Sequence, residues 1–109
     1  MKNINPVVYL LKIINDDKTL YKIGFTNGSV YNRIKNLQTG CPYKIEIVDT
    51  FNSPYSKVLE LILHNMLSHK KTHGEWFDLD IFDEFNFKKT CEKLENIQKT
   101  LDKYKKDIF

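Results

Sequence analysis

The chain predicts an α+β fold: a three-stranded antiparallel sheet flanked by helices, followed by a long C-terminal helix. Three observations predict it. Two apolar, β-branched runs at 7–14 and 20–25 flank the turn segment Asn15-Asp16-Asp17-Lys18, the pattern of a hairpin. A helical spacing, an alternating run and a second helical face then follow between residues 30 and 68. From Asp80 onward the apolar residues recur every seven positions.

Each element has its own signal. Residues 7–14 are apolar on both faces, which marks a central strand. With Asp16-Asp17 as a two-residue loop, Tyr9 pairs with Gly24 and lies diagonal to Lys22, so all three share one face. Thr26-Asn27-Gly28 breaks the second strand. Ser29 is then a helix N-cap, and Val30, Ile34 and Leu37 give 30–38 a helical spacing. Gly40 and Pro42 end that helix. Residues 44–51 alternate, with Ile45, Ile47 and Asp49 expected on one side. Ser53-Pro54 reads as an N-cap followed by Pro at the first helical position, opening a helix to about Ser68. Val58, Leu59, Ile62, Leu63, Met66 and Leu67 form its apolar face, with Glu60 and His64 one turn apart. A polar loop at 69–74 leads to Glu75-Trp76-Phe77-Asp78-Leu79, an aromatic segment expected to fold back on the core. In the last helix Phe87, Leu94, Leu101 and Ile108, with Ile97 and Tyr104, make a narrow seam. That seam is a candidate contact for the domain itself, for a second copy in a homodimer, or for a protein partner. The expected organisation is one functional domain at 6–79 and a helical extension at 80–109.

At 109 residues and 41% hydrophobic, the chain supports one modest core. No apolar run reaches transmembrane length, and Cys41 and Cys91 make no disulfide framework. An intracellular protein is expected, cytoplasmic or, in a eukaryotic host, in the nucleus or a viral factory, with no membrane partner.

The net charge of +3 is modest, but its distribution is not even. Between Asp17 and Glu46 lie Lys18, Lys22, Arg33, Lys35 and Lys44 and no acid, a stretch suited to phosphates. Lys18, Lys35 and Lys44 are the expected nucleic-acid contacts. Arg33 is the one arginine beside sixteen lysines. A guanidinium grips a phosphate through two nitrogens at once, which an ammonium does not.

Taken together, Val8-Tyr9-Leu10, Tyr21-Lys22-Ile23-Gly24-Phe25-Thr26, Arg33-Ile34-Lys35-Asn36-Leu37-Gln38-Thr39-Gly40, Glu60 with His64, and Gly74-Glu75-Trp76-Phe77 stand in order over residues 6–79. This series resembles the GIY-YIG nuclease superfamily, in the Orf-type DNA-binding branch found in phages, bacteria and large DNA viruses. The resemblance implies a metal-dependent DNA endonuclease that hydrolyses phosphodiester bonds with Mg²⁺ or Mn²⁺. Carried over by position, Tyr9 would be the general base or would orient the attacking water. Lys22 would take the place of the second motif's tyrosine, Arg33 would hold the scissile phosphate, and Glu60 would hold the metal. Gly24, Gly74, Trp76 and Phe77 are structural members of the motifs.

The chemistry of those roles is coherent. Charge builds on a phosphate under attack, and a guanidinium and a hard cation both stabilise it. A tyrosine, with a reference pKa of about 10, needs a neighbouring cation to act as a base, and Lys22 is the expected one. The sequence also departs from the family pattern. Val7 replaces the first glycine, the second tyrosine is displaced by one, and the first helix lacks the usual histidine, for which His64 is the candidate substitute. Those departures motivate the alternative: a DNA-binding module of the same fold without turnover. A weaker alternative is a zinc site from Glu60, His64, His69 and His73.

Overall fold

The computed structural model describes residues 6–72 and 74–108. Strands β1 (Val7–Asn15), β2 (Lys18–Thr26) and β3 (Glu46–Asn52) form one antiparallel sheet in the order β2-β1-β3. Helices α1 (Val30–Thr39), α2 (Ser56–Met66) and α3 (Ile81–Ile108) flank it, with a short 3₁₀ turn at Ser68–Lys70 after α2. The α+β architecture with its long last helix is as the sequence predicts.

The hairpin forms because Asp16 and Asp17 both take positive φ, 48° and 70°, the twist a two-residue turn needs. That turn sets the register, and Tyr9 pairs with Gly24 and Leu11 with Lys22 as expected. β1 is buried on both sides. Tyr9, Leu11 and Ile13 pack under α1 with Ile45 and Trp76. Val8 and Leu10 pack on the opposite face with Leu59, Leu63, Phe77, Phe87 and Cys91.

Two details differ from the sequence reading. Leu10 pairs with Asp49 but Leu11 with Ile47, so Val48 is an extra residue in β3. This bulge turns Asp49 to the face opposite Ile47, where it meets Lys88 of α3 at 3.5 Å. Ser53-Pro54 is also not the start of α2. Ser53 Oγ accepts from Tyr55 N (3.1 Å), Ser56 Oγ donates to the Ser53 carbonyl (2.7 Å), and the helix begins at Ser56. The two serines build a turn ahead of the helix.

Beyond α2, the aromatic segment does fold back. Phe77 N donates to the Tyr21 carbonyl (2.7 Å) and Tyr21 N to the Phe77 carbonyl (2.9 Å), adding a one-residue strand to the open edge of β2. Successive side chains of an extended segment point to opposite faces. Trp76 accordingly joins the α1 side and Phe77 the α2/α3 side. Gly74 allows the turn before them with φ of 81°.

Candidate functional site

The hairpin register places Tyr9 on Gly24, and the fit is close. A Cβ built on Gly24 would lie 2.5 Å from Tyr9 Oη and 2.6 Å from Cζ. A side chain at position 24 would displace the tyrosine, so glycine is required by the ring above it. Tyr9 itself is 1% exposed. Its hydroxyl accepts a hydrogen bond from Arg33 Nε at 3.4 Å.

Arg33 reaches Tyr9 because Ser29 caps α1, accepting from Asn32 N at 3.3 Å and fixing where the helix starts. The arginine is exposed. Its guanidinium is raised above its ordinary pKa, first by the contact with Tyr9 and then by the carboxylates of Glu75 and Glu60. The cation against the Tyr9 hydroxyl is therefore Arg33, not Lys22 as the sequence suggests.

Lys22 is spoken for elsewhere. Its ammonium is paired with Glu75 and lies 5.8 Å from the centre of the Trp76 ring. Lys22 is 9% exposed, and a lysine buried in a strand requires such a partner. Glu75 is held below the usual carboxylate range, first by Lys22, with Lys71 and His64 adding to it. From the sequence, Glu75 reads as an anchor of the Trp76-Phe77 turn in preference to a metal ligand, and its pairing with Lys22 is not expected. The signal that could have found it was the need of Lys22 for an anion.

α2 approaches from the other face and reaches round the edge of β2. His64 Nε2 donates to the Ile23 carbonyl at 2.7 Å, and its ring meets Phe77 edge-on at 5.1 Å. A carbonyl only accepts, so Nε2 carries a hydrogen. His64 thus positions the strand edge. Glu60 Oε1 lies 3.9 Å from the same Nε2. Five elements, β1, β2, α1, α2 and the 74–77 turn, therefore supply three neighbouring contacts: Tyr9 with Arg33 over Gly24, Lys22 with Glu75, and His64 on the β2 edge with Glu60 3.9 Å from it.

The expected nucleic-acid lysines lie outside this cluster. Lys35 and Lys44 are exposed, while Lys18 meets Asp78 at 3.3 Å. The displaced tyrosine, Tyr21, faces away from the site. It donates to Glu84 at 2.7 Å and, by burial first and that carboxylate second, its pKa is pushed up to about 12. Among the described residues no three His, Cys, Asp or Glu side chains converge as a metal site would require. The zinc alternative loses the Nε2 of His64 to the Ile23 carbonyl, and His73 lies outside the described residues. Glu60 remains as an oxygen donor that suits a hard cation carrying waters of its own.

The family model of the T5orf172 domain matches residues 6–108. The chain belongs to the T5orf172 domain family. This is a nuclease-like, DNA-binding domain family, distinct from the one the motifs resemble. The assignment to the GIY-YIG superfamily is therefore corrected. The physical reason lies in what the motifs encode: Gly24 under Tyr9, a capped helix carrying Arg33, and a strand-edge turn at Phe77 are packing solutions. They report the architecture more than membership, and Val7 and Tyr21 depart from the superfamily pattern. The chain is also 42% identical over 74 residues to the uncharacterized protein YeeC of Bacillus subtilis (strain 168), covering 57% of this chain. It spans 19% of that relative's length. No solved structure matches the T5orf172 chain at a significant level. Among the described residues no helix is long and apolar enough to cross a membrane.

Proposed function

We propose that the chain is a metal-dependent DNA endonuclease that hydrolyses phosphodiester bonds. The observation that carries this reading is an exposed guanidinium, Arg33, held on the buried Tyr9 hydroxyl and within electrostatic reach of the Glu60 carboxylate. The acid-free run from Lys18 to Lys44 that contains Arg33, and membership of a nuclease-like, DNA-binding family, support it.

Arg33 spends one N–H on Tyr9 and presents the rest of its fork at the surface, where it would receive a phosphate. Tyr9 fixes the guanidinium's direction. Its phenol oxygen would also orient the attacking water beside that phosphate. Lys22, neutralised by Glu75, keeps the ring of Trp76 and the strand in place. Glu60 would hold Mg²⁺ or Mn²⁺ with waters and phosphate oxygens completing the shell. When bound, such an ion supplies charge stabilisation to the phosphate and acidifies water.

One observation favours the alternative of a DNA-binding module without turnover: the 1% exposure of Tyr9 keeps its hydroxyl from bulk water while Arg33 covers it. The two are separated by nicking of supercoiled plasmid with Mg²⁺, Mn²⁺ or chelator. The expected result is metal-dependent nicking by the wild type, its loss in Glu60→Ala, and a fall of about 10²–10³-fold in rate with little change in affinity in Arg33→Lys. Folded wild type that retards DNA without nicking it establishes the binding module instead.

A further inference from the structure

A cleft of about 650 Å³ opens between α1, the loop at 40–45, the start of β2 and the 74–77 turn. Leu20, Leu37, Tyr43 and Trp76 give it apolar and aromatic walls, and Asn36 stands among its polar groups. Lys22 and Glu75 also line it, so it is continuous with the Arg33 cluster. Its volume is that of a small-molecule site, about 300–1,000 Å³.

The wall formed by the loop is built rather than incidental. Gln38 Nε2 donates to the carbonyls of Cys41 (3.3 Å) and Tyr43 (2.8 Å), and Oε1 accepts from Ile45 N (2.9 Å). One side chain thus ties three backbone points of an irregular connection and fixes Tyr43 beside the cleft. A wall ordered in advance spares a ligand the cost of ordering it.

The occupant follows from the lining and the charge. Every residue of the cleft from Leu20 to Ile45 comes from the acid-free basic segment, and the one carboxylate of the 74–77 turn is matched by Lys22. Aromatic rings beside a phosphate-binding arginine suit a base that is out of its stack. Resting on the reading of DNA as partner, we infer that this cleft takes an unpaired nucleobase of the strand whose phosphate Arg33 holds. The chain then prefers single-stranded or frayed DNA to intact duplex.

Trp76 is the one tryptophan in the chain, so its emission reports on the cleft directly. The full chain is titrated in chelator with a short single-stranded oligonucleotide, with an abasic strand of the same length and charge, and with the corresponding duplex. The base-bearing strand is expected to quench Trp76 and to bind about tenfold more tightly than the abasic one. Gln38→Ala is expected to lose most of that preference. In the unmodified protein, alkylation of Cys41, which lines the cleft, should slow with the base-bearing strand and not with the abasic one. Equal affinity for the two strands with Trp76 emission unchanged overturns the inference and leaves the DNA reading standing. A duplex that binds more tightly than the single strand and quenches as much also overturns it. Retention of none of the three overturns both.

Discussion

A methyl group on Gly24 would come within 2.5 Å of the Tyr9 hydroxyl, and the ring has no room to retreat because Tyr9 is 1% exposed. Gly24→Ala is therefore expected to cost about 1–3 kcal/mol, the usual penalty for overfilling a packed site. It should also break the Arg33–Tyr9 hydrogen bond. Urea denaturation of the variant checks the first effect, and stability equal to wild type would remove the packing argument. Lys22 shows the same logic in charge. Its burial against Glu75 and Trp76 means that an uncompensated cation would be left if Glu75 were removed. Cys91 is fully buried and burial pushes its thiol up to about 12, so Cys41 is the cysteine available to thiol reagents at neutral pH.

At the scale of elements, two devices hold the site's frame. The first covers the edge of β2. Tyr21 is paired by Phe77 and the Ile23 carbonyl by His64, so the edge carrying Lys22 and Gly24 does not invite another strand. The second is the start of α3. Asp80 Oδ1 accepts from Asp83 N at 2.9 Å, and Asp83 Oδ2 accepts from Asp80 N at 3.0 Å, a reciprocal cap. Lys70 Nζ adds a 2.6 Å bond to Asp83. Asp80 is held below the usual carboxylate range, first by the backbone N–H of Asp83. A carboxylate depressed in the folded state contributes fully above its unfolded value of about 3.9 and loses that contribution as pH falls through the folded value. Helical stability is therefore expected to decline on acidification through that window. Asp80→Asn, which can still cap but does not titrate, should flatten the decline. Thermal melts followed by circular dichroism across pH 2–6 (a window of about two units on either side of the reference value) test this, and identical acid limbs would exclude the cap as a source.

The whole molecule measures 52 × 36 × 22 Å with a radius of gyration of 15.1 Å, above the ~13 Å of a compact 100-residue domain. The excess comes from α3. Its first half belongs to the core, with Phe87 and Cys91 buried and Leu94 packed against them. Its second half carries Ile97, Leu101 and Tyr104 at 48–60% exposure, and Tyr55 Oη donating to Asp102 at 2.8 Å ties it down. The side chain of Ile108 lies outside the described residues. Leu94 is thus half-buried against the core, and the more open part of the heptad seam is the outer one. Amides beyond Asp102 are expected to exchange with solvent faster than those at 87–94 in the dilute chain. Hydrogen-exchange mass spectrometry measures the contrast. Uniform protection along the helix, rising with protein concentration, would mean that a second copy covers the seam.

What the sequence determined by itself was local or periodic. Asp16-Asp17 dictates a tight hairpin, the hairpin dictates register, and register alone sets Tyr9 opposite Gly24 with Lys22 on the same face. The spacing of apolar residues gave α1, the apolar face of α2 and α3, and the lone arginine on α1 was visible at once. What the tertiary structure decided was which charges and polar groups meet. Tyr9 takes Arg33 and Lys22 takes Glu75 because the 74–77 turn closes on β2, 53 residues along the chain from Lys22. His64 is spent on the Ile23 carbonyl because β2 is the edge strand, which depends on the order β2-β1-β3. Asp49 changes face through a bulge that no alternation pattern announces. Periodicity constrains which side of an element a residue occupies. Partners across the fold are chosen by strand order and loop closure, which depend on the packing of the whole chain.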